Sequence, residues 1–518
     1  MRELPDRPNL EQLKKQAKSL LRDAQANDAA ALARFATLPA FTAGAEPRNL
    51  ALHDAQSAIA REHGFPSWNA LREEVEARTL SFDEAVEAFV RAASDGASGR
   101  ARRLLALHPA IASASLPAAL LLGDAAAVEA RLSANPGLAT ELVGPQQWEP
   151  LLYVCHTCLA DTPDRRDGLV AIARLLLARG ANPNAEYHWN WHPELPRTAL
   201  WGAVCVIRHL PLAEVLLDAG ANPTDGVTTH IAGGGGDIAA LALLRRHGLN
   251  ADGLPGGVPP LVHMLQWSTD AAGPLWLIEH GADPNLAWGP DEEAPLHVAA
   301  RRWDVALVEE LVERGADLAK RRADGRTART LAELYGNHDI AAWLAAHGAP
   351  DELTPVDRFV AACARGDREA AAAMAEYRSE LQPEHHLLLH RFAESGNARV
   401  LETMLACGFD PDARDKDKVT PLHRAAMAGA PDAVRALLEG GADIGALDGM
   451  FAAPPLVWAV EGRAHAQPGS DHVAVARLLI AVGSPVEWTP PEGAPGPERT
   501  QDGLTALRRD AAVEVPEV

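Results

Sequence analysis

Cysteines and long apolar runs are scarce in this 518-residue chain, and their scarcity argues against two classes of protein. The five cysteines, an odd number scattered along the chain, do not form a disulfide framework and fit a reducing compartment. Apolar stretches such as residues 169–178 are interrupted by a charge, here Arg174, so we expect no membrane span. The first residues carry charges where a signal peptide needs an apolar segment. We therefore expect a soluble, unexported, cytoplasmic protein.

The chain also has no excess of basic residues. The chain has 48 Lys and Arg residues against 70 Asp and Glu residues, a net charge of −22. Residues 1–78 contain 11 of each, so the whole acidic excess lies beyond them. An acidic surface repels phosphate groups, and we therefore expect neither nucleic acid nor an anionic membrane as a partner of that region.

Catalytic motifs are absent as well. The chain contains no Gly-x-Ser-x-Gly, no His-Glu-x-x-His and no kinase-like His-Arg-Asp sequence. The sequence therefore predicts no catalytic residue, no cofactor and no enzyme activity.

What the chain does contain is a recurring phrase in which glycine and alanine precede asparagine or aspartate. The four glycines Gly248, Gly281, Gly315 and Gly348 are separated by 33, 34 and 33 residues, a fixed period that indicates stacked repeats. Such repeats bury their cores against their neighbours, so function must be argued from surfaces rather than from a central pocket.

The clearest repeat begins with Thr-Pro-Leu-His at residues 420–423 and ends at Gly441. Thr420 suits a helix N-cap, and Pro421 is tolerated in the first turn because its missing N–H would have no partner there. Gly441 is placed to end the second helix in a left-handed conformation. This pattern resembles the ankyrin repeat.

The resemblance implies an all-α fold, an ankyrin-repeat α-solenoid of about twelve helix-pair units linked by short β-hairpin-like fingers. We place this array at residues 79–490, with degenerate units near 80–148 and 356–410. Residues 1–78 are predicted to form a helical N-terminal capping module, and the Pro- and Gly-rich residues 491–518 a partly irregular tail. The N-terminal segment followed by these repeats resembles a group of bacterial ankyrin-repeat proteins, which implies an interaction role.

Departures from the repeat length mark candidate interaction surfaces. Two are predicted loops between paired helices, Leu159–Gly168 and Ala464–Asp471, and the third is an enlarged finger at Tyr187–Pro193. Aromatic residues make up only 5% of the chain, so a cluster of them in one finger suggests the anchors that dominate protein interfaces. The candidate partner-binding residues are Tyr187, His188, Trp189, Trp191, His192 and Trp288. The alternative is that the finger folds onto its own neighbours and its rings are packed there.

Six further tryptophans are predicted to lie in the core. Trp201, Trp267, Trp276, Trp303, Trp343 and Trp458 fall within predicted helices.

Two further arrangements define alternative functions. Cys155 and Cys158, with His188 and His192, have the residue types of a zinc site, although cysteines in a repeat helix usually replace alanine as small buried residues. Residues 50–76 superficially resemble a helix-turn-helix, but Glu73, Glu74 and Glu76 crowd the helix that would read DNA.

The sequence thus predicts a monomeric, non-catalytic protein–protein interaction scaffold with an unidentified protein partner and no bound metal. A DNA-associated regulator through residues 50–76 is one alternative. A metal- or ligand-binding protein centred on Cys155–His192 is the other.

Overall fold

The computed structural model describes residues 3–5, 7–35, 38, 50, 52–189, 192–463, 465–485, 488, 503, 504 and 507. The chain divides into two compact units, Met1–Gly257 and Val258–Val518. Both units are mostly helical, as the sequence predicts.

The first unit contains fifteen described helices and one described two-stranded sheet. The helices are α1 (Leu10–Gln25), α2 (Ala29–Phe35), α3 (Leu52–Glu62), α4 (Trp68–Thr79), α5 (Phe82–Ser94), α6 (Ser98–Leu107), α7 (Ile111–Ala114), α8 (Leu116–Leu122), α9 (Ala125–Ala134), α10 (Pro150–Cys155), α11 (Pro163–Leu177), α12 (Ala199–Trp201), α13 (Leu210–Asp218), α14 (Thr228–Gly234) and α15 (Ile238–Arg246). The strands are β1 (Glu186–Trp189) and β2 (His192–Thr198). A 3-10 turn covers Pro136–Ala139, and α12 continues into a π-helical turn at Gly202–Val206.

The second unit contains fifteen further described helices and a 3-10 turn at Ala375–Glu380. They are α16 (Pro260–Trp267), α17 (Ala272–Glu279), α18 (Pro295–Arg302), α19 (Val305–Glu313), α20 (Ala328–Leu334), α21 (His338–Ala346), α22 (Pro355–Ala364), α23 (Arg368–Ala373), α24 (Pro383–His386), α25 (Leu388–Glu394), α26 (Ala398–Ala406), α27 (Pro421–Ala428), α28 (Pro431–Glu439), α29 (Pro455–Arg463) and α30 (His472–Ala481).

The second unit shows the stacking of a repeat protein. The first helices of successive pairs pack on one another, as in α16 on α18, α18 on α20, α25 on α27 and α27 on α29. The second helices do the same, with α17 on α19, α19 on α21, α26 on α28 and α28 on α30. Each pair therefore buries its apolar stripe against its neighbours rather than in one central core.

Left-handed glycines end the second helices. Gly441 follows α28 with φ of +92°, and the next amide, Ala442 N–H, donates to the Leu437 carbonyl at 3.0 Å. This closure satisfies a helix-end carbonyl and confirms the conformation predicted for Gly441. The equivalent glycines of positive φ are Gly180, Gly220, Gly248, Gly281, Gly315, Gly348, Gly408 and Gly483.

Buried histidines join the first helix of a pair to the following link. The Nδ1 atom of His423 accepts from Thr420 N–H at 3.2 Å, so the proton of the neutral ring lies on Nε2 and is donated to the Ala453 carbonyl at 3.0 Å. His297 makes the same two contacts, accepting from Ala294 N–H at 3.1 Å and donating to the Lys320 carbonyl at 3.0 Å. At the start of α27 the Thr420 hydroxyl caps no backbone N–H and instead lies 2.8 Å from His423 Nδ1.

The N-terminal helices pack around a small core of their own. Leu13 and Leu20 of α1 meet Phe35, Ile59 and other buried side chains of α2 to α4. Phe65 and Trp68 are partly buried and pack against this same core. The contact with the following helices is made by α4 against α6.

Two sequence expectations were wrong in detail. The predicted loop Leu159–Gly168 is helical from Pro163, because Thr162 accepts from the Arg165 amide and caps α11. Trp267, assigned to the core, is 73% exposed at the last position of α16. Within the part of the chain that the structure describes, no helix is long and apolar enough to cross a membrane.

Candidate functional site

The enlarged finger forms an antiparallel hairpin from β1 and β2. Tyr187 pairs with Arg197 and His188 with Pro196, and the register is irregular between His188 and Trp189. Proline lacks the N–H that a strand donates, which suits its position in a hairpin that has no third described strand. Such irregularities locally re-aim the side chains of a hairpin.

Tyr187 fixes the hairpin to the preceding link. Its ring stacks on Trp148 with a centroid distance of 4.2 Å and meets the edge of His156 at 5.2 Å. Trp148 in turn contacts Tyr153 at 5.4 Å. Stacked and edge-on aromatic pairs at these distances stabilise a packed arrangement beyond the burial of their area. Tyr187 is therefore a support of the hairpin rather than a free contact residue.

His156 lies at the centre of this aromatic cluster and is buried. Its Nδ1 atom is 3.0 Å from the Leu152 carbonyl, which can only accept, so Nδ1 carries the proton of the neutral ring. Burial lowers the pKa of His156 to about 4, against a smaller opposing effect of that hydrogen bond. Its Nε2 atom has no hydrogen-bond partner among the described residues.

The other side of His156 is closed by Trp201 and the π-helical turn. Trp201 stacks on the histidine at 5.6 Å, and the Arg197 guanidinium lies 4.4 Å above the Trp201 ring. Gly202 approaches so closely that an added Cβ would stand 2.4 Å from the Cys155 carbonyl oxygen. A glycine at this position is what allows the two chain segments to meet.

The hairpin is also tied to the next link. At the end of β2, Thr198 donates from Oγ1 to Asp225 Oδ2 at 2.6 Å, and Thr228 donates to the same oxygen at 2.6 Å. Hydrogen bonds from two hydroxyls to one carboxylate are charge-assisted and strong. The hairpin is thus held at its base from both sides, by aromatic packing and by Asp225.

The remaining finger candidates lie toward the tip. His188 is exposed, with Nε2 3.8 Å from the Glu186 carboxylate. Trp189 ends β1 and His192 begins β2. Trp191 lies outside the described residues.

Trp288 lies in the second unit and is 38% exposed. It forms an isolated antiparallel bridge with Glu293, with N–H to carbonyl distances of 3.1 and 3.0 Å. The Glu293 carboxylate is buried and pairs with Arg301 and Arg322. The short link that carries Trp288 is therefore anchored by ion pairs, which hold the ring near the surface.

The surroundings of the two cysteines suggested as zinc ligands do not favour metal binding. Cys155 ends α10 and is buried, and Cys158 follows that helix with its sulfur 3.8 Å from the Ala92 carbonyl. Burial raises the pKa of both thiols, which disfavours the thiolate that binds a metal. Among the described residues there is no group of three or more His, Cys, Asp or Glu positioned to hold a metal ion.

The segment that resembles a helix-turn-helix places its second helix, α4, against protein. Arg103 of α6 donates to the Ala70 carbonyl at 3.3 Å and to Glu73 at 3.2 Å. Glu74 is buried and pairs with Arg78 at 2.7 Å. Because α6 covers this face of α4, the helix cannot present it to DNA. The acidic residues of α4 would also repel DNA phosphates.

Sequence reasoning missed His156, Arg197 and Trp201 as members of the finger's support. It placed Trp201 in the core and did not single out His156 or Arg197. One available signal was the presence of aromatic residues in two consecutive links, Trp148 and Tyr187, because consecutive links lie side by side in a repeat array.

Comparison with known proteins gives the family. The family model described as ankyrin repeats (3 copies) matches residues 268–354, 359–448 and 389–488. Cyclin-dependent kinase 4 inhibitor B of Bos taurus is 34% identical over 128 residues, which is 22% of this chain and 96% of that protein. The chain belongs to the ankyrin-repeat family.

Larger relatives are matched only in part. Rabankyrin-5 of Mus musculus is 27% identical over 228 residues, 39% of this chain and 19% of that protein. Protein fem-1 homolog A of Homo sapiens is 49% identical over 47 residues, 9% of this chain and 7% of that protein. The chain thus spans less than a fifth of the length of each of these two proteins.

Proposed function

We propose that this chain is a non-catalytic scaffold that binds a partner protein through the links of its ankyrin repeats. Ankyrin repeats generally mediate protein–protein interactions. The relative that the chain covers almost completely is, by its name, an inhibitor of a protein kinase, which supports a protein as the partner class.

The contact surface we propose is the tip of the hairpin, with His188, Trp189, Trp191 and His192, and Trp288 as a contact in the second unit. The observation that carries this proposal is the stack of Tyr187 on Trp148 at 4.2 Å. Because the base of the hairpin is rigidly packed, its tip is presented with little loss of conformational entropy on binding. Tyr187 then contributes to binding by holding the tip in position, without contacting the partner itself.

The proposed scaffold is an ankyrin-repeat array with an N-terminal cap. About twelve units span residues 79–490, linked by hairpin-like fingers, and residues 1–78 act as a cap. The scaffold is proposed to be bacterial, monomeric and cytoplasmic. The net charge of −22 favours a partner surface with basic or apolar features over a nucleic acid.

The test is affinity capture from the native host with the full chain and a double variant, Trp189→Ala with Trp191→Ala. We expect the variant to lose the partners that the wild type captures, because truncating an interface tryptophan commonly costs about 2 kcal/mol or more. The thermal unfolding midpoint of the variant should match that of the wild type.

Trp267→Ala is the matched control, since that ring is 73% exposed and belongs to the second unit, whereas the hairpin belongs to the first. It should capture the same partners as the wild type. Unchanged capture by the double variant, or a large fall in its unfolding midpoint, would contradict the proposed contact surface.

A further inference from the structure

Three arginines surround one cavity in the second unit. The cavity has a volume of about 560 Å³ and is lined by Arg365, Gly366, Asp367, Arg368 and Arg399. Arg365 follows α22, Arg368 begins α23 and Arg399 lies in the first turn of α26, so three elements contribute one arginine each. The four charged residues of the lining are exposed, and the cavity is therefore open to solvent.

The packing of the helices explains why these arginines meet. Helix α26 packs on α22, which also packs on the six-residue helix α23. Arg399 therefore lies against the turn between α22 and α23, where its Nη2 atom donates to the Gly366 carbonyl at 3.3 Å. Gly366 has φ of +66°, and an added Cβ would stand 3.3 Å from Arg399 Nε. A glycine at this position lets the guanidinium lie close to the turn.

The other two arginines are oriented by carboxylates. Arg365 Nη1 donates to Glu333 at 3.0 Å, and Arg368 Nη2 donates to Glu402 at 2.6 Å. A guanidinium carries five N–H donors in a planar fork, so each arginine can donate to a further acceptor while it keeps its present contact. The three side chains are thus held in place before a ligand arrives, which lowers the entropy cost of binding.

The carboxylates near the cavity are engaged by other groups. Asp367 accepts from the Ala370 N–H at 3.0 Å and caps α23. Glu333 and Glu402 form ion pairs at the surface, and such pairs contribute little, so an incoming anion can share their arginines at small cost. The acceptor of Arg399 is a neutral carbonyl, which leaves its positive charge unbalanced at that contact. Charges more than about 8 Å away are largely screened at physiological ionic strength, so the net charge of −22 does not exclude a small anion.

We propose that this cavity is a binding site for a phosphate monoester group. Such a group has three acceptor oxygens and a charge of about −1.5 to −2 at pH 7, which matches three guanidiniums that approach from three elements. A carboxylate offers only two oxygens, and the arginine fork suits the geometry of phosphate. The cavity volume of about 560 Å³ is that of a small-molecule pocket and leaves room for more than a bare ion.

The same chemistry is carried by a phosphorylated side chain of another protein and by free phosphate. The inference goes beyond the proposed scaffold function, because the cavity belongs to the second unit and the hairpin to the first. Loss of phosphate binding and loss of partner capture are therefore separate results.

The experiment titrates the full chain by calorimetry in about 0.15 M salt, with inorganic phosphate and with the capped amino acid N-acetyl-O-phosphoserine amide. We expect saturable binding of both phosphate-bearing probes and none of N-acetylserine amide. Phosphoserine that binds at least as tightly as phosphate would assign the site to phosphorylated side chains. Phosphate that binds more tightly would assign it to the free ion.

Two variants test the site itself. Arg399→Gln and Arg368→Gln should each weaken the binding of both probes about tenfold or more, because each removes charge-assisted hydrogen bonds. Arg435→Gln is the matched control, since Arg435 is an exposed arginine of α28 in the same unit and pairs with Asp432 at 2.7 Å, away from the lining residues. It should bind both probes like the wild type.

Circular dichroism and the thermal unfolding midpoint establish that each variant is folded. Absence of saturable binding of both probes to the wild type would overturn the proposal. So would unchanged affinity in the folded Arg399→Gln and Arg368→Gln proteins, or an equal loss in Arg435→Gln.

Discussion

At the scale of single residues, a buried histidine between repeats must match its hydrogen bonds to two backbone groups. His297 satisfies two backbone groups at once, the Ala294 N–H and the Lys320 carbonyl. We predict that His297→Ala lowers the free energy of unfolding by roughly 2–4 kcal/mol, because each buried polar group left without a partner costs about 1–3 kcal/mol. Urea denaturation at pH 7 measures this loss.

His465→Ala is the control for that measurement. His465 is exposed, in the turn between α29 and α30. Its replacement should change the stability by less than about 0.5 kcal/mol, as is usual for surface positions. Similar losses in the two variants would mean that the hydrogen bonds of His297 are not what matters there.

At the scale of elements, the sequence predicts helix starts well where the signal is local. The structure begins α27 at Pro421, directly after the predicted N-cap Thr420. The prediction of a loop at Leu159–Gly168 was wrong because it rested on the repeat length, whereas the local sequence contains a helix start. Thr162 followed by Pro163 is a helix start, and part of the predicted loop belongs to α11.

The packing of one side chain, Tyr187, supports the hairpin of β1 and β2. We predict that Tyr187→Ala lowers the free energy of unfolding by about 1–3 kcal/mol, because it removes the stack on Trp148 and the contact with His156. Chemical denaturation followed by tryptophan fluorescence gives the value. Tyr187→Phe keeps the ring and should stay within about 0.5 kcal/mol of the wild type. Equal losses in the two variants would show that the phenol oxygen, rather than the stack, stabilises the hairpin.

At the scale of the whole molecule, the fold follows from a period, whereas the site follows from contacts that the period does not encode. The glycine spacing predicts stacked repeats, but it does not predict that Trp148, His156, Tyr187 and Trp201 form one cluster. Which rings meet depends on how far each enlarged link folds back, and Trp267 shows that an apolar ring in a helix is not necessarily buried.

Acid should destabilise both compact units, and the buried histidines set the pH range. Burial lowers the pKa of His156 in the first unit and of His297 in the second to about 4, below the value near 6.5 of an unfolded chain. Between these values the unfolded state binds more protons, so stability is present above pH 6.5 and is lost as the pH falls toward 4. From pH 7 to pH 5 we expect each histidine to account for a loss of about 2 kcal/mol.

The measurement that isolates one histidine is the difference in unfolding free energy between pH 7 and pH 5, taken for the wild type and for His297→Ala. Removing the titrating ring should reduce that difference by about 2 kcal/mol, although the variant is less stable at both pH values. His465→Ala should keep the full difference, since its ring is exposed in the folded chain as well. A pH difference in His297→Ala equal to that of the wild type would mean that the acid response comes from other groups, and the role of the ring would then be confined to its two hydrogen bonds.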